Sequence, residues 1–127
     1  RYNRTPIRSQ TAQTEHRLRV SLATTEEERA QGLMFIQSMA PDTGMLFVYA
    51  RPQYVGMWMK NTYVALDMLF IDQGGRIVNI AENARPLALD TISSTSLVLA
   101  VLELPGGTVK RLGLKPGDRV RHAAFEL

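Results

Sequence analysis

No stretch of this chain stays apolar for long. No uninterrupted run exceeds six residues, the length of Leu97 to Leu102, and Pro105-Gly106-Gly107 closes that segment soon after. A membrane-spanning helix needs about 20 consecutive apolar residues, whereas a buried strand needs only roughly four to eight. Runs this short, each ended by glycine, proline or a polar turn, predict a molecule built from strands and exclude a transmembrane helix.

The strands can be placed by their patterns. Leu18, Val20 and Leu22 alternate with Arg17, Arg19 and Ser21, as in a strand with one face buried. Thr25 followed by Glu28 makes a capping box, three acids fill the first turn, and Gly32 can close the turn with positive φ, so a short helix is expected over residues 26–31. Met45 to Tyr49 reads as an apolar strand stopped by Arg51-Pro52-Gln53, and Val55 to Lys60 as extended chain ending in a polar corner at Asn61 and Thr62. Residues 67–71 and 76–80 flank Asp72-Gln73-Gly74-Gly75, a hairpin turn. Residues 84–96 read as a long irregular connection, and residues 97–104 as the most apolar strand, with Glu103 its only charge. One helical turn is expected over residues 108–112 and a last strand over 119–125. About seven strands and one real helix predict an α+β domain of mainly antiparallel sheet, closed or nearly closed as a small barrel.

The length of 127 residues and the hydrophobic fraction of 45% suit one domain. Charge divides that domain from its start. Residues 1–14 carry Arg1, Arg4 and Arg8 and no acid, whereas residues 15–127 carry 12 charges of each sign. Residues 1–14 are therefore expected to be a solvated basic leader, and residues 15–127 the folded β-rich domain. The neutral body offers no basic run interleaved with aromatics, so nucleic-acid binding is not expected. With no cysteine there is no disulfide, no thiolate nucleophile and no sulfur-based zinc site. His16 and His122 flank arginines on polar faces and fall short of a metal site, so neither metal nor cofactor is expected. The chain begins at Arg1 rather than methionine, which fits removal of a signal peptide and a periplasmic or secreted product, with a cytoplasmic one the alternative.

The densest chemistry lies in Val55-Gly56-Met57-Trp58-Met59-Lys60-Asn61-Thr62. In an extended segment Trp58, Lys60 and Thr62 share one face, and Met57 and Met59 pack on the other. A tryptophan beside a lysine forms a platform with a cation at its rim, suited to a small polar or anionic ligand. Asn61 and Thr62 can bond the neighbouring backbone or contact that ligand. Asp67 and Glu103 each stand in an otherwise apolar strand, where an unpaired charge is costly, so Lys60 and Arg29 are the expected partners in buried ion pairs. No Gly-x-Ser-x-Gly elbow, phosphate-binding glycine loop or His-Glu-x-x-His is present.

Five blocks carry a resemblance. They are Glu28-Arg29-Ala30-Gln31-Gly32-Leu33-Met34-Phe35; Gly44-Met45-Leu46-Phe47; Met57 to Thr62 with Leu66-Asp67 and Leu69 to Asp72; Val101-Leu102-Glu103-Leu104-Pro105-Gly106-Gly107; and Gly113-Leu114 with Gly117-Asp118. Taken in order, from about His16 to the C-terminus, the chain resembles the family called domain of unknown function 192. The resemblance implies one compact β-rich domain, often made with an export signal in bacteria, and brings no accepted activity, substrate or cofactor. Met57 departs from the aromatic residue the family commonly places before the tryptophan, which argues against a two-ring platform. The expected function is a non-enzymatic, exported binding or accessory domain. It would take a small molecule or a partner's loop beside Trp58 and Lys60, with Asn61, Thr62, Asp67, Arg29 and Glu103 nearby and no catalytic residue. The rival is a hydrolase or lyase using Asp67 or Glu103 with Lys60.

Overall fold

The structure, a computed structural model, describes residues 2–8 and 15–125. Among the described residues nine strands form in chain order. They are β1 (Tyr2–Arg8), β2 (Glu15–Ala23), β3 (Thr43–Gln53), β4 (Gly56–Met57), β5 (Leu66–Ile71), β6 (Ile77–Ala84), β7 (Ile92–Ser93), β8 (Val98–Pro105) and β9 (Arg119–Val120). Helix α1 (Glu26–Gln31) lies between β2 and β3, helix α2 (Thr108–Leu112) follows β8, and a 3-10 turn spans Ala123–Phe125. Seven strands make one sheet in the order β6-β5-β8-β3-β2-β1-β9, while β4 and β7 form a separate pair.

The sheet is mostly antiparallel but mixed, because β2 and β3 run parallel. A parallel pair needs a crossover, and residues 24–42 supply it by way of α1. The helix forms as its caps dictate: the Glu28 amide donates to Thr25 Oγ1 at 3.1 Å, the Thr25 amide donates to Glu28 Oε1 at 3.2 Å, and Gly32 ends it at φ +49°.

Among the described residues no sheet is closed into a barrel, which corrects the expected closure. The β6 and β9 ends of the order meet through an isolated bridge between Arg76 and Arg119, a few backbone bonds, among them Ile77 N–H to Asp118 O at 2.8 Å, and the arginine side chains, with Arg76 Nη1 donating to Gly117 O at 3.2 Å. The expected final strand is only two residues long before the chain turns into the 3-10 segment, too short to seal the seam. The basic leader also needs correction over residues 2–8, which pair along β2 from Tyr2 opposite Ser21 to Arg8 opposite Glu15. A sheet edge offers unpaired backbone groups to any extended segment whatever its side chains, and net charge does not reveal this. The rest of residues 1–14 lies outside the described residues.

Two apolar layers cover the sheet. Leu18, Val20, Leu46, Leu69, Ile71, Leu102 and Leu104 pack on one face with Val109, Leu114 and Phe125. Phe47, Leu66, Met68, Phe70 and Val101 pack on the other with Val55 and Met59. All six residues of β5 are buried. A strand covered on both faces reads as a continuous apolar run rather than an alternation, as β5 and β8 do. Among the described residues no helix is long and apolar enough to cross a membrane.

Candidate functional site

The second layer is incomplete beside α1. A cleft of about 460 Å³ opens there, walled by α1, the inner face of β3 and the segment from Gly56 to Thr62, with Glu103 of β8 in its lining. Such a volume lies within the usual range for small-molecule sites.

Glu103 reaches the cleft through strand alternation. Met45 of β3 and Met68 of β5 lie opposite it in register, and Val101, two residues away, belongs to the Phe47–Met68 layer. Leu102 and Leu104 point to the other face. The backbone of β3 must come very close here. A Cβ on Gly44 would lie 2.2 Å from the Glu103 carbonyl oxygen, so only glycine fits. The Glu103 residue is 3% exposed, and among the described residues no hydrogen bond or ion pair reaches its carboxyl. Burial pushes its pKa up from 4.5 to about 8. The expected ion pair is therefore corrected: the acid escapes the cost of a buried charge by keeping its proton, not by finding a cation.

Arg29 is held elsewhere. Its Nη1 donates to Thr24 O at 2.7 Å and Val48 O at 3.0 Å, and its guanidinium carbon lies 4.9 Å from the centre of the Tyr49 ring. It fastens α1 to β3 and lines the cleft as it does so. Tyr49 also lines the cleft, with its hydroxyl 3.8 Å from Met57 Sδ. Burial raises the Tyr49 pKa, with the Arg29 charge opposing and Glu103 adding to the rise.

Trp58, Lys60 and Thr62 all line the cleft, though not as one extended strand. Only Gly56–Met57 is strand, and Lys60–Asn61 is a turn with Asn61 at φ +54° and the Thr62 amide donating to Met59 O at 3.1 Å. Trp58 is 47% exposed, and Lys60 Nζ stands 5.1 Å from the centre of its ring. Met59 is fully buried, as its apolar alternation predicts, while Met57 lies at the cleft wall. Thr62 is buried and its hydroxyl donates to Lys60 O at 3.0 Å, which holds the turn.

Two expected site residues stand apart. Asn61 does not line the cleft; its carbonyl instead accepts from the Phe35 amide at 2.8 Å. Asp67 lies on the opposite face of the sheet from Leu66 and Met68, its carboxylate accepting from the Asn83 and Val109 amides at 2.8 Å each. Those two backbone donors, not Lys60 or Arg29, compensate its burial. Tyr49 escaped the sequence reading. Its place follows from the alternation of β3 through Met45 and Phe47, but only once β3 is known to pair with β8.

The described residues form an open mixed sheet with one crossover helix, and beside that helix lies the candidate ligand site, a cleft with a buried acid in its lining. The family model described as Uncharacterized ACR, DUF192, matches residues 7–122, and the chain belongs to that family. Two solved structures are similar over nearly their whole length. One, from Sinorhizobium meliloti 1021 and described as a "putative transcription regulator", shares 48% identity over 98% of this chain and 95% of that one, with a TM-score of 0.94. The other, a protein of unknown function from Novosphingobium aromaticivorans DSM 12444, shares 36% identity over 95% of this chain and 85% of that one, with a TM-score of 0.90. No protein with a curated description matches the chain.

Proposed function

We propose that the protein is a non-enzymatic binding domain that takes a small polar or anionic molecule in the cleft beside Trp58 and Lys60. The observation that carries this reading is Glu103, a nearly fully buried carboxyl lining an open cleft without a partner of its own. Buried polar groups are ordinarily satisfied, and an acid left without a protein partner beside a cleft is matched to something that enters it. The exposed indole and the two cations of the wall, Arg29 and Lys60, supply apolar contact and positive charge around that acid. Export to the periplasm or beyond belongs to the same proposal, on the strength of the family resemblance, and fractionation of host cells tests it.

Trp58 is the chain's only tryptophan, so it reports on the cleft without a label. Small-solute quenching of its emission is expected in the free protein, with protection and a spectral shift on binding. Trp58→Phe is expected to weaken binding about tenfold while costing no more than about 1 kcal/mol of stability, because the ring is half in solvent. Blue emission, resistant to quenching and indifferent to every class of small molecule tried, ends the proposal.

A second reading, a hydrolase or lyase, draws on one observation: Glu103 and Lys60 line the same cleft, and an acid that keeps its proton near neutral pH suits general acid catalysis. Asp67 takes no part in it, since both its oxygens are bound to backbone amides on the far face. Turnover of an ester, amide or glycoside that disappears in Glu103→Gln would favour this reading over binding.

A further inference from the structure

The Glu103 carboxyl is a nearly fully buried polar group in the cleft lining, and its surroundings select what can meet it. From α1 it is faced by Glu26 and Arg29, from β3 by Tyr49, and from the turn after β4 by Lys60, all in the cleft lining. Its register neighbours, Met45 and Met68, carry no charge. Both cations already have partners: Arg29 donates to two backbone carbonyls, and Lys60 rides on the Trp58 ring. They make the wall positive without neutralising the acid. Burial holds the proton on Glu103 up to about pH 8, so at neutral pH its side chain offers an O–H donor.

The wall carries Arg29 and Lys60 against the single carboxylate of Glu26, so an incoming ammonium would meet a net positive charge on the way to a neutral acid. An incoming carboxylate meets favourable charge on the wall and a donor behind it, and an O–H to carboxylate hydrogen bond is among the short, strong ones. We infer that the cleft takes a compact monocarboxylate, held by an acid–carboxylate hydrogen bond to Glu103 with Arg29 and Lys60 supplying the opposing charge. This rests on the reading of the cleft as a ligand site and deepens it. Binding is then proton-linked, since the ligand is received only while Glu103 keeps its proton.

The test compares benzoate, benzamide and benzylammonium, which share a ring and differ in charge, by calorimetry on the whole chain across a pH series. The carboxyl carbon of Glu103 is followed by NMR in the same samples. Benzoate is expected to bind at least tenfold more tightly than the other two in the neutral range. Its affinity should fall by up to about tenfold per pH unit above about pH 8, where free Glu103 loses its proton. In the complex the carboxyl carbon should keep its protonated shift to a higher pH than in the free protein. Glu103→Gln, whose amide also donates, should bind benzoate within a few-fold of the parent and lose the fall at high pH. If that variant does not fold, the carbon shift and the pH profile of the parent still decide. Tighter binding of benzylammonium, strengthening as pH rises and lost in Glu103→Gln, overturns the inference and leaves the cleft a site for cations. Failure of all three probes to bind also overturns it, and the wider screen on Trp58 then decides alone whether the cleft binds anything.

Discussion

At the scale of single residues, Glu103 ties stability to pH. In the unfolded chain it titrates near 4.5, and in the folded protein near 8, so between these values the native state holds a proton that the unfolded chain has released. Stability therefore falls as pH rises through that window, by up to about 1.4 kcal/mol per unit, and levels off above it; below about pH 4.5 the group adds no slope. Glu103→Gln should flatten the slope, leaving the variant about 2 kcal/mol or more above the parent at pH 8 and near parity at pH 4. Denaturant titrations at several pH values check this, and equal slopes in the two proteins would place the titrating group elsewhere. The sequence identified Glu103 as anomalous, because one acid in a strand of Val, Leu and Ala stands out. It did not reveal how the anomaly is resolved. Whether a buried acid pairs or protonates depends on which cations lie within reach, and Arg29 is turned toward Thr24 and Val48 by the path of the backbone. Leu87 gives a second residue-scale expectation. It is 56% exposed and held at φ +67°, a conformation that favours glycine, so Leu87→Gly should leave the thermal midpoint unchanged or raise it.

At the scale of elements, local chemistry was the more legible part. The capping box and Gly32 located α1, and alternation located β2. Thr25→Ala should cost about 1 kcal/mol by removing the side-chain acceptor for the Glu28 amide, and should weaken ligand binding because α1 is a wall of the cleft. Elements defined by distant pairing were harder to see. β3 was expected to stop before Arg51-Pro52-Gln53 yet runs through it, because the pairing with β8 shifts register between Val48 and Gln53 and an irregular stretch of strand tolerates proline. Residues 84–96, expected to be irregular, contain β7 and are fastened by Asn79, which donates to Ser93 O and accepts from the Thr95 amide, each at 3.1 Å. Asp67 does similar work between elements by holding the amides of β6 and α2 to β5. Asp67→Ala leaves the buried Val109 amide and the part-buried Asn83 amide without their acceptor and should cost about 2 kcal/mol or more, with Asp67→Asn costing less because it keeps one acceptor. Chemical denaturation of the two variants tests the ranking.

At the scale of the whole molecule, fold class was legible and closure was not. Short apolar runs with turn residues between them specify a β-rich domain, but the orientation of β2 against β3 depends on where the α1 crossover returns the chain. The two-sided burial of β5 and β8 makes the centre of the sheet the last part to open. Amide exchange should be slowest in residues 66–71 and 98–104, and comparable protection at Arg119–Val120 would contradict the open seam. One feature of the cleft wall reaches further. The segments that build its outer side are joined through main-chain bonds: the Phe35 amide to Asn61 O, the Met59 amide to Ala88 O and the Leu87 amide to Thr62 O. Main-chain bonds do not depend on the identity of the side chains that hang from them. The wall is therefore a frame on which side chains facing the cleft can be exchanged while its shape persists, so a library randomised at Met57, Trp58 and Lys60 should yield folded proteins with altered ligand preference, as loops do on an antibody scaffold.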